Sequence, residues 1–170
     1  KLEKQLAFMK ERGYAFTFTD YRICHNGVWQ PHAFKGPDKV TRNMLYNYNY
    51  FSIITVMYDA EKLGVLLGAD VKKGNDYALW FEAGKKCDFY RFPKTCSYYI
   101  KHDGSITGIS KWRLISRHYI IFRKVLGYGP VLSSLFTVNN LFHGFMKRYT
   151  CRKPESEIPD LGFVRQEGEY

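Results

Sequence analysis

An aspartate stands at the point where a helix is predicted to begin. Asp76 follows Gly74 and Asn75, and the run from Asn75 to about Lys86 is predicted to be helical. The N-terminus of a helix favours the ionised form of a carboxylate, and an ionised carboxylate can act as a general base. Aspartate is also a preferred helix cap. The residues alone therefore leave two interpretations of Asp76 open, a catalytic base and a structural cap.

The same run resembles a family motif. Asn75–Trp80, with the sequence NDYALW, is similar to the segment that opens the catalytic helix of family-2 glycosyltransferases with the GT-A fold. Further stretches resemble segments of that family in the expected order, and these are residues 1–5 with 15–21, residues 49–57 and residues 98–107. The resemblance extends to about residue 150. It implies that Asp76 deprotonates an acceptor hydroxyl as the hydroxyl attacks the anomeric carbon, with inversion.

The resemblance also implies a set of residues near the acceptor or the donor diphosphate. These are Asn49, Thr55, Asn75, Trp80, Lys101, His102 and Ser105. His102 has two interpretations, a ligand of the metal or the diphosphate and a solvated loop histidine. Trp80 is expected either in the core or in the wall of an acceptor pocket, because aromatic faces pack in cores and also stack on sugars.

The chain departs from the family pattern at several positions. Gly74 and Asn75 stand where an arginine or an acid is common, and Lys101 and Thr107 stand where an arginine and a serine are common. Lysine presents a point charge rather than a planar fork, so Lys101 would bind a diphosphate differently from an arginine.

The largest departure is that no Asp-x-Asp sequence occurs in the chain. In the family, such a loop holds a divalent metal just before the segment that residues 1–3 resemble. The resemblance therefore implies that the nucleotide-binding half is missing and that Mg²⁺ or Mn²⁺ belongs to the full-length enzyme. It also implies that this fragment is catalytically inactive on its own. The predicted function is that of a fragment of an inverting, nucleotide-sugar-dependent glycosyltransferase. Its partners would be a nucleotide-sugar donor and a lipid-linked or saccharide acceptor in bacterial cell-surface polysaccharide biosynthesis.

The elements that must position these residues follow from periodicity and turn signals. A helix is predicted over residues 1–12, ended by Gly13, with turns such as Asn26-Gly27 between residues 20 and 39. Strands are predicted at residues 14–19, 52–58, 89–92 and 96–101, a short helix at 41–48, and two helices after Ser110. The predicted fold is α/β, a partial GT-A (Rossmann-like) mixed sheet with flanking helices followed by a C-terminal basic amphipathic helical hairpin. The predicted units are an acceptor-side part (1–107), the hairpin (108–150) and a loose acidic tail (151–170).

Charge is concentrated in the predicted hairpin. The net charge is +10, and residues 101–153 hold ten basic side chains and one acidic side chain. Apolar residues repeat along both helices at Ile115, Tyr119, Phe122 and Leu126, and at Leu132, Leu135, Phe136, Leu141, Phe142, Phe145 and Tyr149. Two interpretations remain open: the hairpin adsorbs to an anionic membrane surface, or its apolar stripes pack on the domain.

Two non-catalytic alternatives accompany the transferase hypothesis. One is a basic module that binds nucleic acid through phosphate attraction and base stacking. No recognised nucleic-acid motif is present, so nucleic acid is not an expected partner. The other is an interaction module or an enzyme remnant.

Cysteine spacing and hydropathy indicate in which cellular compartment the protein is expected. The four cysteines include no CxxC pair, which is typical of reduced thiols. No apolar run reaches the roughly 18–20 residues that a membrane span needs. The expected localisation is cytoplasmic, with peripheral attachment to the inner face of the cell membrane as the further hypothesis.

Overall fold

The structure is a computed structural model that describes residues 1–68, 75–101 and 111–154. Its helices are α1 (Leu2–Arg12), α2 (Ala60–Leu63), α3 (Asn75–Ala83), α4 (Lys111–Ile120) and α5 (Pro130–Thr150). Its strands are β1 (Phe16–His25), β2 (Val28–Phe34), β3 (Lys39–Val40), β4 (Val56–Tyr58), β5 (Phe89–Lys101) and β6 (Arg152–Pro154). Short 3₁₀ helices cover Asn43–Tyr46 and Ile53–Thr55, and a single π-helical turn, Ile121–Val125, follows α4.

The six strands form one mixed sheet organised around β1. The order is β3-β5-β1-β2-β6, with β4 also paired to β1. β1 runs parallel to β5 and antiparallel to both β2 and β4. The predicted fold class, a mixed α/β sheet flanked by helices, is confirmed.

Two glycines fix local geometry where a positive φ is required. Gly13 ends α1 with φ 68°, as the sequence predicts for a helix C-terminus. Asn26 and Gly27 connect β1 to β2 with φ 48° and 83°, a conformation that asparagine and glycine adopt most readily. The turn at Asn26-Gly27 is where the sequence predicts it. The strand predicted at residues 14–19, however, extends as β1 to His25, directly before this turn.

An aromatic cluster fills the space between the sheet and α3. Phe16 and Phe18 alternate along β1 and so point to the same face, where both are 0–1% exposed. Phe16 lies 4.7 Å from Phe89 and 5.5 Å from Trp80, measured between ring centroids. Thr17 and Thr19 on the opposite face of β1 are also buried. Burial of both faces is what the central strand of a parallel or mixed sheet requires.

Three elements differ from the sequence expectation. The predicted strand 52–58 begins with the 3₁₀ helix, because the hydroxyl of Thr55 donates to the carbonyl of Ser52 at 2.6 Å and closes a turn. The helix predicted at 41–48 is the shorter 3₁₀ helix Asn43–Tyr46, which has no side-chain cap.

The strands predicted at 89–92 and 96–101 are one strand, β5. Thr19 pairs with Phe92 and Asp20 with Thr95, so Pro93 and Lys94 bulge out of the ladder. Proline has no N–H to donate to a ladder, so a bulge accommodates it without a lost hydrogen bond.

The C-terminal helices form the predicted hairpin, and they contact each other. β6 then pairs antiparallel with β2, through His32 and Pro154, Ala33 and Lys153, and Phe34 and Arg152. The first residues of the segment predicted to be a loose tail therefore form a strand, and residues 155–170 lie outside the described residues. The boundaries between the three predicted units stay a prediction. None of the helices in the described ranges is long and apolar enough to cross a membrane.

Candidate active site

The predicted base lies in the first turn of α3. Asp76 is the second residue of this helix and is half-buried. The next residue, Tyr77, shares a helix face with Trp80 and Phe81, and these three side chains are 0–3% exposed. Because they are spaced by three and four residues, they form the buried stripe of an amphipathic helix. Asp76 therefore lies at the border between the buried face of α3 and the surface.

Hydrogen bonds from two other elements fix the first turn of α3. The hydroxyl of Tyr77 donates to the carbonyl of Leu45 and accepts a hydrogen bond from Asn140 Nδ2 of α5 at 2.6 Å. Burial raises the pKa of Tyr77, which keeps this hydroxyl protonated and able to donate. The backbone beside Asp76 is consequently held by both the 3₁₀ helix Asn43–Tyr46 and the hairpin.

A histidine of α4 completes the surroundings of Tyr77. The His118 ring stands edge-on to the Tyr77 ring, with centroids 5.8 Å apart. Burial, and secondarily the charge of Arg117, lower the pKa of His118 to about 4. His118 is therefore neutral at physiological pH and packs as an aromatic ring.

Thr55 belongs to a buried polar network beneath α1. Gln5 Nε2 donates to Thr17 Oγ1 and to the carbonyl of Thr55, both at 3.1 Å. Ser97 Oγ lies 3.1 Å from Thr19 Oγ1 and donates to the carbonyl of Ile54 at 3.2 Å. These contacts join α1, β1, β5 and the turn before β4. Thr55 is fully buried here, so contact between this residue and a ligand stays a prediction.

Asn49 lies under the C-terminal part of α5. Its carbonyl accepts a hydrogen bond from Lys147 Nζ at 2.8 Å. The same ammonium lies 5.4 Å from the ring centroids of both Phe34 and Tyr48, and burial lowers the pKa of Lys147 to about 8. This cation between two aromatic faces was not singled out from the sequence.

The remaining predicted site residues divide into described and undescribed ones. Trp80 is 1% exposed and packs against Phe16 and Phe51; this is a core position, and its contact with an acceptor stays a prediction. Lys101 ends β5, its carbonyl accepts from the Asn26 N–H at 2.9 Å, and its ammonium lies over the Tyr99 ring. The backbone of Asn75 begins α3. His102 and Ser105 lie outside the described residues.

The described residues bring only part of the predicted set together. Asp76, Asn75 and Trp80 share α3, whereas Thr55, Asn49 and Lys101 each have separate surroundings. Asn140 and Tyr77 were missed as partners, although Ser133, Thr137 and Asn140 recur at helical spacing as a polar stripe that the sequence displays. Within the described ranges, no group of three or more His, Cys, Asp or Glu side chains is placed to hold a metal ion. The divalent metal that the resemblance implies is therefore not fitted by these residues.

Comparisons with known proteins add one similarity. No family model matches the chain, and no solved structure matches it. The chain is 28% identical over 127 residues to "Putative teichuronic acid biosynthesis glycosyltransferase TuaG" of Bacillus subtilis (strain 168). The match covers 74% of this chain and 50% of that protein, so the chain spans about half the length of the curated relative it matches. The similarity supports a glycosyltransferase-like function for this chain.

Proposed function

We propose that the chain is the acceptor-side part of an inverting, nucleotide-sugar-dependent glycosyltransferase in which Asp76 is the general base. The observation that carries the proposal is the position of Asp76, half-buried in the first turn of a helix whose next residue is fixed by hydrogen bonds. A base works only if it is held at a constant position relative to the hydroxyl it deprotonates. The similarity to a protein named as a glycosyltransferase supports the transferase part of this proposal.

The proposed chemistry is a single displacement. Asp76 takes the proton of an acceptor hydroxyl while the hydroxyl oxygen forms a bond to the anomeric carbon of the donor sugar. The bond from that carbon to the diphosphate breaks, and the nucleotide diphosphate leaves with the electron pair. Attack opposite the leaving group inverts the anomeric configuration.

The acceptor is proposed to be a lipid-linked or free saccharide, and the pathway to be the synthesis of a bacterial cell-surface polysaccharide. The named pathway of the relative supports this substrate class. Donor binding and metal binding are proposed to belong mainly to the part of such an enzyme that this chain does not cover, since the chain spans about half of the relative. Asn49, Thr55, Asn75, Lys101, His102 and Ser105 are proposed to lie near the acceptor or the diphosphate in the complete enzyme.

Substitution of Asp76→Asn in the full-length gene product tests the proposal. We expect the turnover of sugar transfer to fall about 10²- to 10⁴-fold, the usual contribution of a general base, while donor binding changes little. Asp59→Asn is the matched control. Asp59 caps α2 by accepting N–H groups of Glu61 and Lys62, and asparagine caps equally well.

Two results would contradict the assignment. Full turnover in the Asp76→Asn enzyme would leave Asp76 with only a structural role in the first turn of α3. Tight binding of RNA or DNA that weakens steeply with salt, in a full-length protein without transferase activity, would favour the nucleic-acid alternative instead.

A further inference from the structure

α5 exposes its apolar face. Six large apolar residues alternate at spacings of four and three and are each 54–71% exposed; they are Val131, Leu135, Val138, Phe142, Phe145 and Tyr149. We call this set the outer stripe. The spacing is that of one continuous helix face. A contiguous exposed apolar surface of this kind marks an interaction site more often than scattered exposed residues do.

The opposite face of α5 packs on the domain through Phe136, which contacts the Tyr46 and Phe122 rings, and through three buried, hydrogen-bonded polar residues. Ser133, Thr137 and Asn140 are 0–3% exposed. Ser133 Oγ donates to the carbonyl of Tyr128 at 3.3 Å, and Thr137 Oγ1 donates to the carbonyl of Ser133 at 2.7 Å. Asn140 donates to Tyr77. Buried polar groups are stabilised only when they are paired. Asn139 Nδ2 also donates to the carbonyl of Tyr46 at 3.1 Å, and together with the Asn140–Tyr77 contact this fixes the rotation of α5 and leaves the outer stripe turned away from the domain.

The segment that contains the outer stripe has charge of one sign. Residues 111–154 contain nine basic side chains and no Asp or Glu, and the basic residues are Lys111, Arg113, Arg117, Arg123, Lys124, Lys147, Arg148, Arg152 and Lys153. Arg123 and Lys124 are exposed just before α5, and Arg152 and Lys153 are exposed just after it. The outer stripe therefore has cations at both ends.

This charge distribution indicates which kind of partner would cover the outer stripe. In a helix pair formed by two copies of the chain, flanking charges usually alternate in sign so that they attract across the seam. Two copies of this segment would bring only positive charge together. An anionic lipid surface provides negative headgroups for the cations and an apolar acyl boundary for the stripe.

The length of the helix fits an orientation parallel to that surface. α5 has 21 residues, and at about 1.5 Å per residue it extends over roughly 30 Å. No helix in the described ranges is long and apolar enough to cross a membrane. A helix with an apolar face and cationic ends lies in the plane of the lipid interface.

We propose that α5 docks the protein on an anionic lipid surface, with the outer stripe at the acyl boundary and Arg123, Lys124, Arg152 and Lys153 at the headgroups. This inference does not depend on sugar transfer, because it rests on the hairpin alone. Its test is a binding measurement rather than an activity measurement.

Co-flotation of the 170-residue chain with vesicles measures the binding. We expect binding to vesicles of phosphatidylcholine with phosphatidylglycerol and much weaker binding to pure phosphatidylcholine. Phe142→Ser with Phe145→Ser should weaken binding to the anionic vesicles by about tenfold or more, because two large apolar side chains no longer enter the interface. Val65→Ser with Leu67→Ser is the matched control, because both residues are 77% exposed and lie outside the hairpin. The control should bind like the unsubstituted chain.

A second pair of variants tests the cationic ends. Lys124→Gln with Lys153→Gln should weaken binding about tenfold at low salt, given the usual contribution of basic residues near an anionic surface. Lys4→Gln with Lys10→Gln removes the same charge from the exposed face of α1 and should have a clearly smaller effect.

Three outcomes would overturn the proposal. The first is no binding to anionic vesicles. The second is binding that the Phe142/Phe145 variant retains in full, which would make the attraction purely electrostatic. The third is a dimer, measured by light scattering, that the same variant dissociates while vesicle binding is absent. In that case a second copy of the chain would cover the outer stripe.

Discussion

The two helices of the hairpin use similar apolar patterns in opposite ways. The π-helical turn that continues α4 places Ile121 and Phe122 in the core at 0–1% exposure and exposes Arg123 and Lys124. α5 exposes Phe142 at 61% and buries Asn140 at 2%. α5 thus buries polar residues, packs one partly buried aromatic residue, Phe136, on the core, and exposes the outer stripe.

The difference shows what an apolar repeat can and cannot predict. The repeat predicts that a helix has an apolar face and a polar face. Which of the two faces is buried depends on the residues with which the rest of the chain can contact it. The Phe122 ring packs against the rings of Phe81 and Phe136, whereas Asn140 donates a hydrogen bond to the hydroxyl of Tyr77. The interpretation in which both apolar stripes pack on the domain is therefore wrong for the residues of the outer stripe, whereas Phe136 of the same helix does pack on the core.

The largest expected effect is on the free energy of unfolding, and it differs between two phenylalanines. Phe122→Ala should lower the free energy of unfolding by about 3–5 kcal/mol, because it leaves a cavity in a packed core. Phe142→Ala should change it by less than about 0.5 kcal/mol, as exposed substitutions usually do. Urea unfolding of the two variants measures both values. Equal losses would show that α5 buries its apolar face in solution and would remove the contrast between the helices.

A smaller effect on the free energy of unfolding comes from the protonation of His118 at acid pH. Its pKa falls from 6.5 in the unfolded chain to about 4 in the folded one, so the unfolded chain binds the proton first as the pH drops. Stability from this residue is therefore present at pH 7 and is lost between about pH 6.5 and pH 4. Between pH 7 and pH 4.5 the loss should be about 2 kcal/mol.

The measurement for His118 compares the chain with its His118→Gln variant at both pH values. Glutamine does not titrate, so the difference in unfolding free energy between the two proteins should shrink by this amount at the lower pH. Parallel loss of stability in both proteins would show that the histidine is solvated in the folded state.

The smallest effect concerns the contact that joins the inner face of α5 to α3. Asn140→Ala and Tyr77→Phe should each destabilise the fold, and their double-mutant cycle should give a coupling of about 1 kcal/mol, as expected for contacting residues. Asn140→Ala with Tyr149→Phe is the control pair, because Tyr149 is 68% exposed on the outer stripe. Zero coupling between Asn140 and Tyr77 would mean that the hairpin does not position the first turn of α3.

Features set by local chemistry were predictable from the sequence. Gly13 ends α1, Asn26-Gly27 turns β1 into β2, and Asn75 begins α3. Each depends on the backbone preferences of one or two residues. The position of Asp76 in a first helical turn followed from the same kind of signal.

Features set by distant partners were not predictable in this way. Thr55 has a β-branched side chain that favours a strand, yet its hydroxyl closes a turn that Gln5 then reinforces from α1. Asn140 was one polar residue among several in an apolar helix, and only the fold brings Tyr77 to it. Such contacts join residues 50 and 63 positions apart, and nothing in either local segment specifies the other.

The pairing of β6 with β2 determines how α5 can move. β6 follows α5 after a single residue and is held by the ladder of the sheet. At its other end, α5 follows Gly129, and Tyr128 contacts Tyr46 through their hydroxyls at 2.6 Å. A helix fastened at both ends cannot swing outward as a free arm. Because Asn140 on the inner face of α5 contacts Tyr77, the first turn of α3 lies on the side of α5 that is opposite the outer stripe. A surface that binds the outer stripe would therefore always have Asp76 on the far side of α5, at a position that the fold determines.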